Sequence, residues 1–474
     1  MEGLRRWVEG SGGRVDSRLD LRETACGCSR TLTAGEPYKE GETIVRIPWC
    51  RALNLRSALR RHSVAEKGGK GDLLLGGLQG FLSFCKSAEG VGHSTISLLV
   101  ALQICGEASP GASGDMRSYT SLLPAPPPPE PGEGGPSLSD AVRGPPLIHP
   151  LLFEEDQLDE LQNAGLSASI RRERGLLRFI YDTALNSEAL SFRDFLWSIA
   201  IVRSRSLNLS LHLEGKLQEA HGEALQCMLP LIDLCDHSAG ANCSLRCCIS
   251  GSAVGAIELV AQADIDEGSP MTIDYGHRPL RDFFRCYGFT PDENESRSEV
   301  FEDADHTPLE SVLVGGHRGG GFFSLRRILL LSSLPRAPPE PGSDRIQDVL
   351  DGALLEKRLL LDSDGCGLLY EIEDESSQSV SSFRDCPEVL GGLTASGGRL
   401  FCDQGTEALA ISRVLDYFQG LSDRMPTTLE EDEVILKGSG LPLWEQASVR
   451  YRMARKALMG RVVGDLKGAQ LAAA

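Results

Sequence analysis

The hydrophobic and polar positions of the chain follow two different periods. Near the start, Leu4, Trp7 and Val8 fall on one face of a predicted helix. Residues 43–48 read Thr-Ile-Val-Arg-Ile-Pro, which predicts a short strand that ends at a proline. Residues 253–261 are apolar and β-branched enough to predict a second strand. Short strands therefore occur in both the first and the second part of the chain.

Long helical segments separate and follow these strands. Helical periodicity prevails from about residue 67 to residue 190, although the Pro/Gly/Glu run at 125–136 predicts a flexible insertion. Beyond residue 300 the chain is again predicted to be helical, with helices at 407–419 and 444–466. The last of these helices carries apolar side chains on one face and basic side chains on the other.

Two helix ends carry recognisable signals. Residues 192–207 predict an amphipathic helix whose last turn holds Arg203 and Arg205, where cations favour the negative end of the helix dipole. A planar guanidinium at such an end can also bind a carboxylate through two hydrogen bonds. Thr428 precedes an acidic first turn and is predicted to cap a helix.

These elements predict an α+β fold. Helices do not alternate regularly with strands, and no Gly-x-Gly-x-x-Gly motif follows a strand, which disfavours a doubly wound nucleotide-binding fold. A chain of 474 residues is long enough for two or three domains. The predicted division follows the chain: 1–66, 67–200 with the flexible insertion, 201–299 and 300–474, the last an all-α C-terminal domain.

Composition and charge narrow the class of protein. The formal net charge of -19 disfavours binding to nucleic-acid phosphates. No apolar run approaches the length of a membrane span, and the first residues lack the apolar stretch of a secretory signal, so neither a membrane partner nor secretion is expected. The 14 cysteines are scattered without paired spacing, which indicates reduced intracellular thiols and no metal site.

Residues 228–289 concentrate the side chains that can perform chemistry. This segment contains an Asp-x-x-Asp-His-Ser cluster, then Tyr-Gly, and twelve residues later Tyr-Gly-Phe. A buried tyrosine is ordinarily a packed core residue. The joint spacing of the acidic residues, the histidine and the two tyrosines is what singles this segment out.

The segment resembles the SET domain of protein lysine methyltransferases, in the branch typified by the Rubisco large-subunit methyltransferase. Three further motifs are similar to that branch: a tyrosine before Leu-Leu-Pro at 119–124, the Ser-Arg pair at 204–205, and Pro-Thr-Thr-x-x-Glu-Asp-Glu at 426–433 followed by an Arg-Tyr-Arg helix. The resemblance implies small β-sheets with a helical insertion, followed by a helical domain that binds the substrate.

The resemblance also implies roles for individual residues. Tyr275 matches the catalytic tyrosine of the family. The positions that match the family's contacts with the methyl donor, S-adenosylmethionine, are Cys28, Ser29, Arg30, Arg205, Asp236, His237, Tyr287, Gly288 and Phe289. The positions that match its substrate contacts are Ser204, Asp233, Tyr275 and Tyr287. In this interpretation the hydroxyl of Tyr275 and the main chain around His237 face one narrow tunnel.

Two places depart from the family pattern. Asp236 stands where the family has asparagine, and Ser29 and Thr31 stand where its donor loop, placed here at residues 28–32, has glycines. An aspartate can accept a hydrogen bond from an ammonium group more strongly than an amide, but it cannot donate one. These departures leave open weaker donor binding, altered selectivity and loss of activity.

The function implied by the resemblance is a protein N-methyltransferase that uses S-adenosylmethionine and acts on a lysine of a non-histone protein. A histidine substrate stays open, because members of this branch modify histidine as well. A second alternative is a catalytically inactive SET-like protein that binds a partner through its C-terminal helices. The compartment expected is the cytoplasm or the nucleus, with the chloroplast possible by analogy to the family.

Overall fold

The structure is a computed structural model, and it describes the chain in segments. The residues described are 2–23, 30–54, 117–126, 144–184, 191–209, 226–250, 253–276, 278–291, 299–302, 311–314, 359–361, 368–371, 380–382, 412, 415–416, 418–438 and 440–473. Two predicted donor contacts, Cys28 and Ser29, lie outside these residues. So does most of the predicted flexible insertion at 125–136.

Helices and strands are numbered here in chain order. The helices are α1 Glu2–Glu9, α2 Arg117–Thr120, α3 Glu155–Asp159, α4 Ala164–Ala184, α5 Phe192–Arg205, α6 Leu280–Tyr287, α7 Leu429–Lys437 and α8 Leu443–Ala473, with short 3-10 turns at Trp49–Arg51, Pro150–Leu152 and Ile232–Leu234. The strands are β1 Arg14–Val15, β2 Leu19–Glu23, β3 Arg30–Ala34, β4 Thr43–Pro48, β5 Leu207–Asn208, β6 Gln226–Cys227, β7 Asp236–His237, β8 Cys243–Ser250, β9 Ala253–Ala261, β10 Thr272–Ile273, β11 Glu299–Glu302, β12 Ser311–Val314, β13 Leu359–Leu361, β14 Leu368–Glu371 and β15 Val380–Ser382. Among the described residues, no helix combines the length and the apolar character that a bilayer crossing requires.

The chain forms two compact units, and both are discontinuous in sequence. The first unit contains Met1–Phe153, Ile170–His277 and Arg285–Gly288. The second contains Glu154–Ser169, Arg278–Phe284 and Phe289–Ala474. The predicted four-part division follows chain order and stays a prediction.

A four-stranded antiparallel sheet is the centre of the first unit. Its strand order is β1-β4-β9-β8, so Thr43–Pro48 and Ala253–Ala261 lie side by side. Both strands have the predicted bounds, because β-branched residues and a terminal proline define them locally. Helix α1 also forms as predicted, with Leu4, Trp7 and Val8 all buried in the core of this unit.

Strand β3 corrects one expectation. Residues 28–32 are expected to form a loop that presents its backbone to the donor, but Arg30–Ala34 pairs with β2 in register, Leu21 opposite Leu32. The main chain of β3 is also occupied on its other side, since the amide of Met271 donates to the carbonyl of Leu32 at 2.8 Å. The alternation of threonine and apolar residues after Arg30 favours a strand over a glycine-type loop.

Helix α5 is buried more completely than expected. The side chain of Ser191 caps it by accepting a hydrogen bond from the amide of Asp194, and every residue from Asp194 to Val202 is buried. The predicted amphipathic helix therefore has no exposed face between Asp194 and Val202, and its polar residues Asp194 and Ser198 are buried with the apolar ones. The helix ends at Arg205, and Leu207–Asn208 then pairs with Gln226–Cys227.

The second unit has both short strands and helices. The expectation that the chain is helical throughout after residue 300 is incomplete, because β11 pairs with β12 and β13-β14-β15 form a three-stranded antiparallel sheet. The runs Val-Phe and Val-Leu-Val explain the first pair, since such residues suit a pleated surface. Of the predicted helix at 407–419, positions 407–411 lie outside the described residues, whereas residues 418–423 are helical.

A buried charge network joins α7 and α8 in the second unit. Thr428 caps α7 in a reciprocal capping box with Glu431, as predicted. The Asp432 carboxylate, fully buried, accepts from Arg452 Nε at 2.8 Å and from Lys456 Nζ at 2.6 Å. Two cations of the basic face predicted for α8, Arg452 and Lys456, are therefore buried together with their carboxylate partner.

We expect Asp432→Asn to lower the free energy of unfolding by about 3–5 kcal/mol, since it removes the carboxylate of the buried Lys456 and one of the two carboxylates that pair with the buried Arg452. Urea-induced unfolding followed by circular dichroism measures this. The matched control is Glu433→Gln, whose carboxylate pairs with Lys437 at the surface and should change stability by no more than about 0.5 kcal/mol. Equal effects of the two substitutions would contradict a stabilising role for the buried network.

Candidate active site

A short parallel ladder organises the candidate site in the first unit. Strand β7 pairs with β10, with Asp236 opposite Thr272 and His237 opposite Ile273. The amide of Asp236 donates to the carbonyl of Met271 at 3.1 Å, and that of Ser238 donates to the carbonyl of Ile273 at 3.3 Å. These bonds bring the residues that follow β10 next to the Asp-His pair.

Tyr275 forms hydrogen bonds with the Cys235–His237 segment through its main-chain amide and through its hydroxyl. Its main-chain amide donates to Nδ1 of His237 at 3.1 Å, and its hydroxyl donates to the main-chain carbonyl of Cys235 at 2.7 Å. Burial raises the pKa of the Tyr275 phenol far above its ordinary value, so the group is neutral at physiological pH. The expected proximity of the Tyr275 hydroxyl to the chain around His237 is confirmed, while the tunnel itself stays a prediction.

The aromatic ring of Tyr275 contacts two other rings, those of His237 and Tyr287. The ring centroids of His237 and Tyr275 are 5.0 Å apart, and those of Tyr275 and Tyr287 are 4.8 Å apart. Tyr287 is the last residue of α6. A row of aromatic rings offers negative π faces to a cation without adding a formal charge. The two tyrosines predicted to share a site therefore do lie in contact.

Gly288 is required by a close approach of two main chains. Its φ of +77° lies in the left-handed region, and a Cβ at this position would overlap the carbonyl oxygen of Ile148. The structure thus explains this glycine by packing, and its predicted contact with the donor stays a prediction. Phe289 belongs to the second unit, where its ring packs 5.9 Å from that of Phe283, and its donor contact likewise stays a prediction.

A second cluster surrounds Asp233. The Tyr119 hydroxyl donates to Oδ2 of Asp233 at 2.5 Å, and the Arg205 guanidinium donates to the main-chain carbonyl of Asp233 at 2.9 Å. The Asp233 side chain is fully buried, and this burial raises the pKa of its carboxyl group to about 6 although Arg205 and Tyr119 hold it down. Among the described residues, Arg205 Nε and Asp233 Oδ1 are buried without a hydrogen-bond partner.

Asp236 interacts electrostatically with a member of each group, Tyr275 and Arg205. Burial raises the pKa of its carboxyl group, while the nearby Thr31 hydroxyl and the positive charge of Arg205 lower it. The same carboxylate raises the pKa of the Tyr275 phenol. Asp236 and Thr31, which both depart from the family pattern, are therefore close to each other.

Two predicted site residues already use their side chains for local structure. The Ser204 hydroxyl donates to the carbonyl of Ile201 within its own helix at 3.3 Å. The Arg30 guanidinium donates to the carbonyl of Leu122 at 3.3 Å and lies 3.8 Å from the carboxylate of Glu23. The structure therefore does not bring Ser204 and Arg30 to the site through the contacts it shows, and their predicted roles stay predictions.

Two members of the site were missed as functional residues from the sequence. In the sequence, Tyr119 is only part of a motif and Thr31 only replaces a family glycine. No local pattern could place Tyr119 against Asp233, because 114 positions separate them in the chain. Among the described residues there is no group of three or more histidine, cysteine or acidic side chains arranged to hold a metal ion.

Solved structures share this fold. The SET domain of LSMT bound to methyllysine and AdoHcy superposes with a TM-score of 0.56 at 14% identity, over 100% of this chain and 92% of that chain. Rubisco LSMT bound to AdoMet superposes with a TM-score of 0.53 at 15% identity, again over 100% of this chain and 92% of the other. No protein-family model and no curated protein matches the sequence significantly. The chain therefore has the fold of the SET domain of LSMT, with a helical C-terminal region.

We expect Gly288→Ala to destabilise the protein more than a glycine substitution that adds left-handed strain alone. The control is Gly268→Ala, which has a φ of +81° and open space around a Cβ. The control should cost about 1–2 kcal/mol of strain, and Gly288→Ala should cost about 1–3 kcal/mol more because of its steric overlap. Thermal unfolding of both variants measures the difference, and equal melting temperatures would contradict the close approach to Ile148.

Proposed function

We propose that the chain is an S-adenosylmethionine-dependent protein-lysine N-methyltransferase that acts on a non-histone protein. The observation that carries the proposal is the neutral Tyr275 hydroxyl, which donates to the Cys235 carbonyl, on a ring that contacts the rings of His237 and Tyr287. It is supported by the fold, since structural neighbours of this chain are bound to AdoMet or AdoHcy and to lysine or methyllysine.

The residues present fit the amino-acid end of such a donor. Arg205 has a buried Nε without a hydrogen-bond partner among the described residues, and a guanidinium suits a carboxylate. Asp236 is a partly buried carboxyl group near that arginine, and a carboxylate suits an ammonium group. When bound, S-adenosylmethionine would supply a methyl group on a positively charged sulfur.

The chain's own contribution is positioning and exclusion of water. A lysine amine, whose ordinary pKa is about 10.4, must lose its proton before it can attack, and a dry aromatic environment favours the neutral amine. The rings of His237, Tyr275 and Tyr287 provide such an environment and also suit a methylammonium product. The Tyr275 phenol stays protonated, so its oxygen can orient an amine without a permanent charge.

A second candidate function is a SET-like protein that binds a partner without catalysis. The observation that favours it is Asp236, because burial raises the pKa of its carboxyl group and so makes a negative charge costly at this position. Calorimetry separates the two candidates, because a chain that binds no S-adenosylmethionine cannot transfer a methyl group from it.

We expect Tyr275→Phe to reduce methyl transfer by about 100-fold or more, the usual effect of removing one oriented hydroxyl from a reaction centre. The measurement is transfer of a labelled methyl group from S-adenosylmethionine into proteins of a cell extract, followed by identification of the modified residue. Donor binding by the variant, measured calorimetrically, is the control for folding. A variant that binds donor and retains full transfer would refute the role of Tyr275, and label on histidine would replace lysine as the substrate.

A further inference from the structure

Of the two arginines in the last turn of α5, the proposed function uses only Arg205. Arg203 instead pairs with one oxygen of the Glu173 carboxylate on α4, and the other oxygen accepts a hydrogen bond from the Arg285 guanidinium of α6 at 3.2 Å. A carboxylate that is shared by two guanidiniums fixes the positions of both, because charge-assisted hydrogen bonds are short and directional. Glu173 therefore connects residue 285 to α4 and α5.

His149 holds the next residue of the same segment. Its ring is fully buried, its Nδ1 accepts a hydrogen bond from the Leu151 amide at 3.1 Å, and its Nε2 lies 3.1 Å from the main-chain carbonyl of Cys286. Since Nδ1 is an acceptor, Nε2 carries the proton and donates to that carbonyl. Burial and the charge of Arg203 lower the pKa of this histidine to about 3, so the ring keeps its neutral form at physiological pH.

These contacts lie on both sides of Tyr287 in the sequence. The two residues before it are hydrogen-bonded to Glu173 and His149, and the residue after it, Gly288, closely approaches the main chain of Ile148. The Tyr287 ring lies 4.8 Å from that of Tyr275, centroid to centroid. All of these residues belong to the first unit. The position of the Tyr287 ring therefore depends on the contacts of its neighbours as well as on its own ring contact.

We propose that Glu173 and His149 are positioning residues for methyl transfer, which hold the main chain around Tyr287 so that its ring stays against that of Tyr275. This inference rests on the proposed function, because it assigns the two rings to the reaction site. It also gives Arg203 a role beyond the helix dipole. A cation that only favours the dipole can stay at the surface, whereas the Arg203 side chain is 24% exposed and is paired with Glu173.

Methyl transfer is sensitive to support of this kind. A displacement requires aligned reacting atoms, and a misplacement of about 1 Å caused by a distant substitution can cost about 100-fold in rate. Without the charge of Glu173, the two guanidiniums that it bridges repel each other. Residue 285 should then shift and displace Tyr287 with it.

The first test compares Glu173→Gln with the wild-type chain. Transfer of a labelled methyl group into extract proteins should fall by about 10- to 100-fold. Saturating S-adenosylmethionine makes this a change in the rate of transfer rather than in donor affinity. The matched control is Asp182→Asn on the same helix, which removes an exposed ion pair with Arg178 and should transfer like the wild type.

A second measurement reports the position of Tyr287 without any activity. In protein labelled with fluorotyrosine, the fluorine resonance of Tyr287 is the one lost in Tyr287→Phe, and it senses the neighbouring ring of Tyr275. This resonance should move in Glu173→Gln and stay in place in Asp182→Asn. A loss of stability alone would lower the melting temperature but would leave the resonance of the folded protein unchanged.

Two substitutions of His149 form a matched pair, which decides the question should Glu173→Gln fail to fold. Glutamine is long enough to donate an amide N–H to the Cys286 carbonyl in place of Nε2, whereas asparagine is shorter and keeps only an acceptor for the Leu151 amide. We expect His149→Gln to keep the Tyr287 resonance and most of the transfer. His149→Asn should move the resonance and lower transfer by about tenfold or more.

The outcomes are distinguishable. A Tyr287 resonance that stays in place in Glu173→Gln and His149→Asn, or transfer at the wild-type rate in both, overturns the positioning role and leaves the proposed function standing. A wild-type chain that neither binds S-adenosylmethionine nor transfers methyl groups overturns the proposed function, and with it any role of these residues in transfer. A moved resonance together with slow transfer, in these two variants but not in Asp182→Asn or His149→Gln, supports the proposal.

Discussion

The candidate site depends on one short piece of parallel pairing. Strand β7 has only the residues Asp236 and His237, yet its ladder with Thr272–Ile273 brings Tyr275 onto the Cys235–His237 segment. Parallel pairs need a long connection, and here that connection contains the β8–β9 hairpin of the main sheet. The large sheet thus supplies a rigid frame, and the small ladder uses it to fix two distant parts of the chain at hydrogen-bond distance.

Buried polar groups are the second constraint. Asp233 in the first unit and Asp432 in the second are both fully buried, and each is paired with cations or hydroxyls from distant parts of the chain. The two differ in one respect. Asp432 has donors on both carboxylate oxygens, whereas Asp233 Oδ1 has none among the described residues. A carboxylate with donors on both oxygens stabilises a fold, whereas a buried carboxylate oxygen without a donor is a candidate ligand contact.

Much of the fold could be predicted from local sequence, because local preferences define it. The strands Thr43–Pro48 and Ala253–Ala261 and the Thr428 cap follow from β-branched runs, a proline and an N-cap residue. The burial of α5 and the burial of Arg452 and Lys456 could not be predicted in this way, since each depends on partners far away in the chain. The strand at Arg30–Ala34 could not be predicted from the resemblance, because the family has a loop at the positions that match residues 28–32.

The residues of the candidate site, like those of the fold, could be predicted from the sequence only in part. The spacing of His237, Tyr275 and Tyr287 indicated a shared location, and the rings do meet. Tyr119 and Thr31 carry no local signal, because only the tertiary structure puts their hydroxyls beside the carboxyl groups of Asp233 and Asp236. Arg30 and Ser204 match positions of the family motifs, whereas their hydrogen bonds in the structure are made with main-chain carbonyls.

The most direct test of the account is a calorimetric titration of S-adenosylmethionine into the whole chain and into Arg205→Gln. The account predicts saturable binding by the wild type and at least about tenfold weaker binding by the variant, since a charge-assisted bond to a carboxylate contributes about 1.5–3 kcal/mol. Arg22→Gln, a change at a surface ion pair with Asp20, should bind like the wild type. Wild-type protein that releases no heat of binding, or Arg205→Gln that binds as tightly as the wild type, would contradict the account.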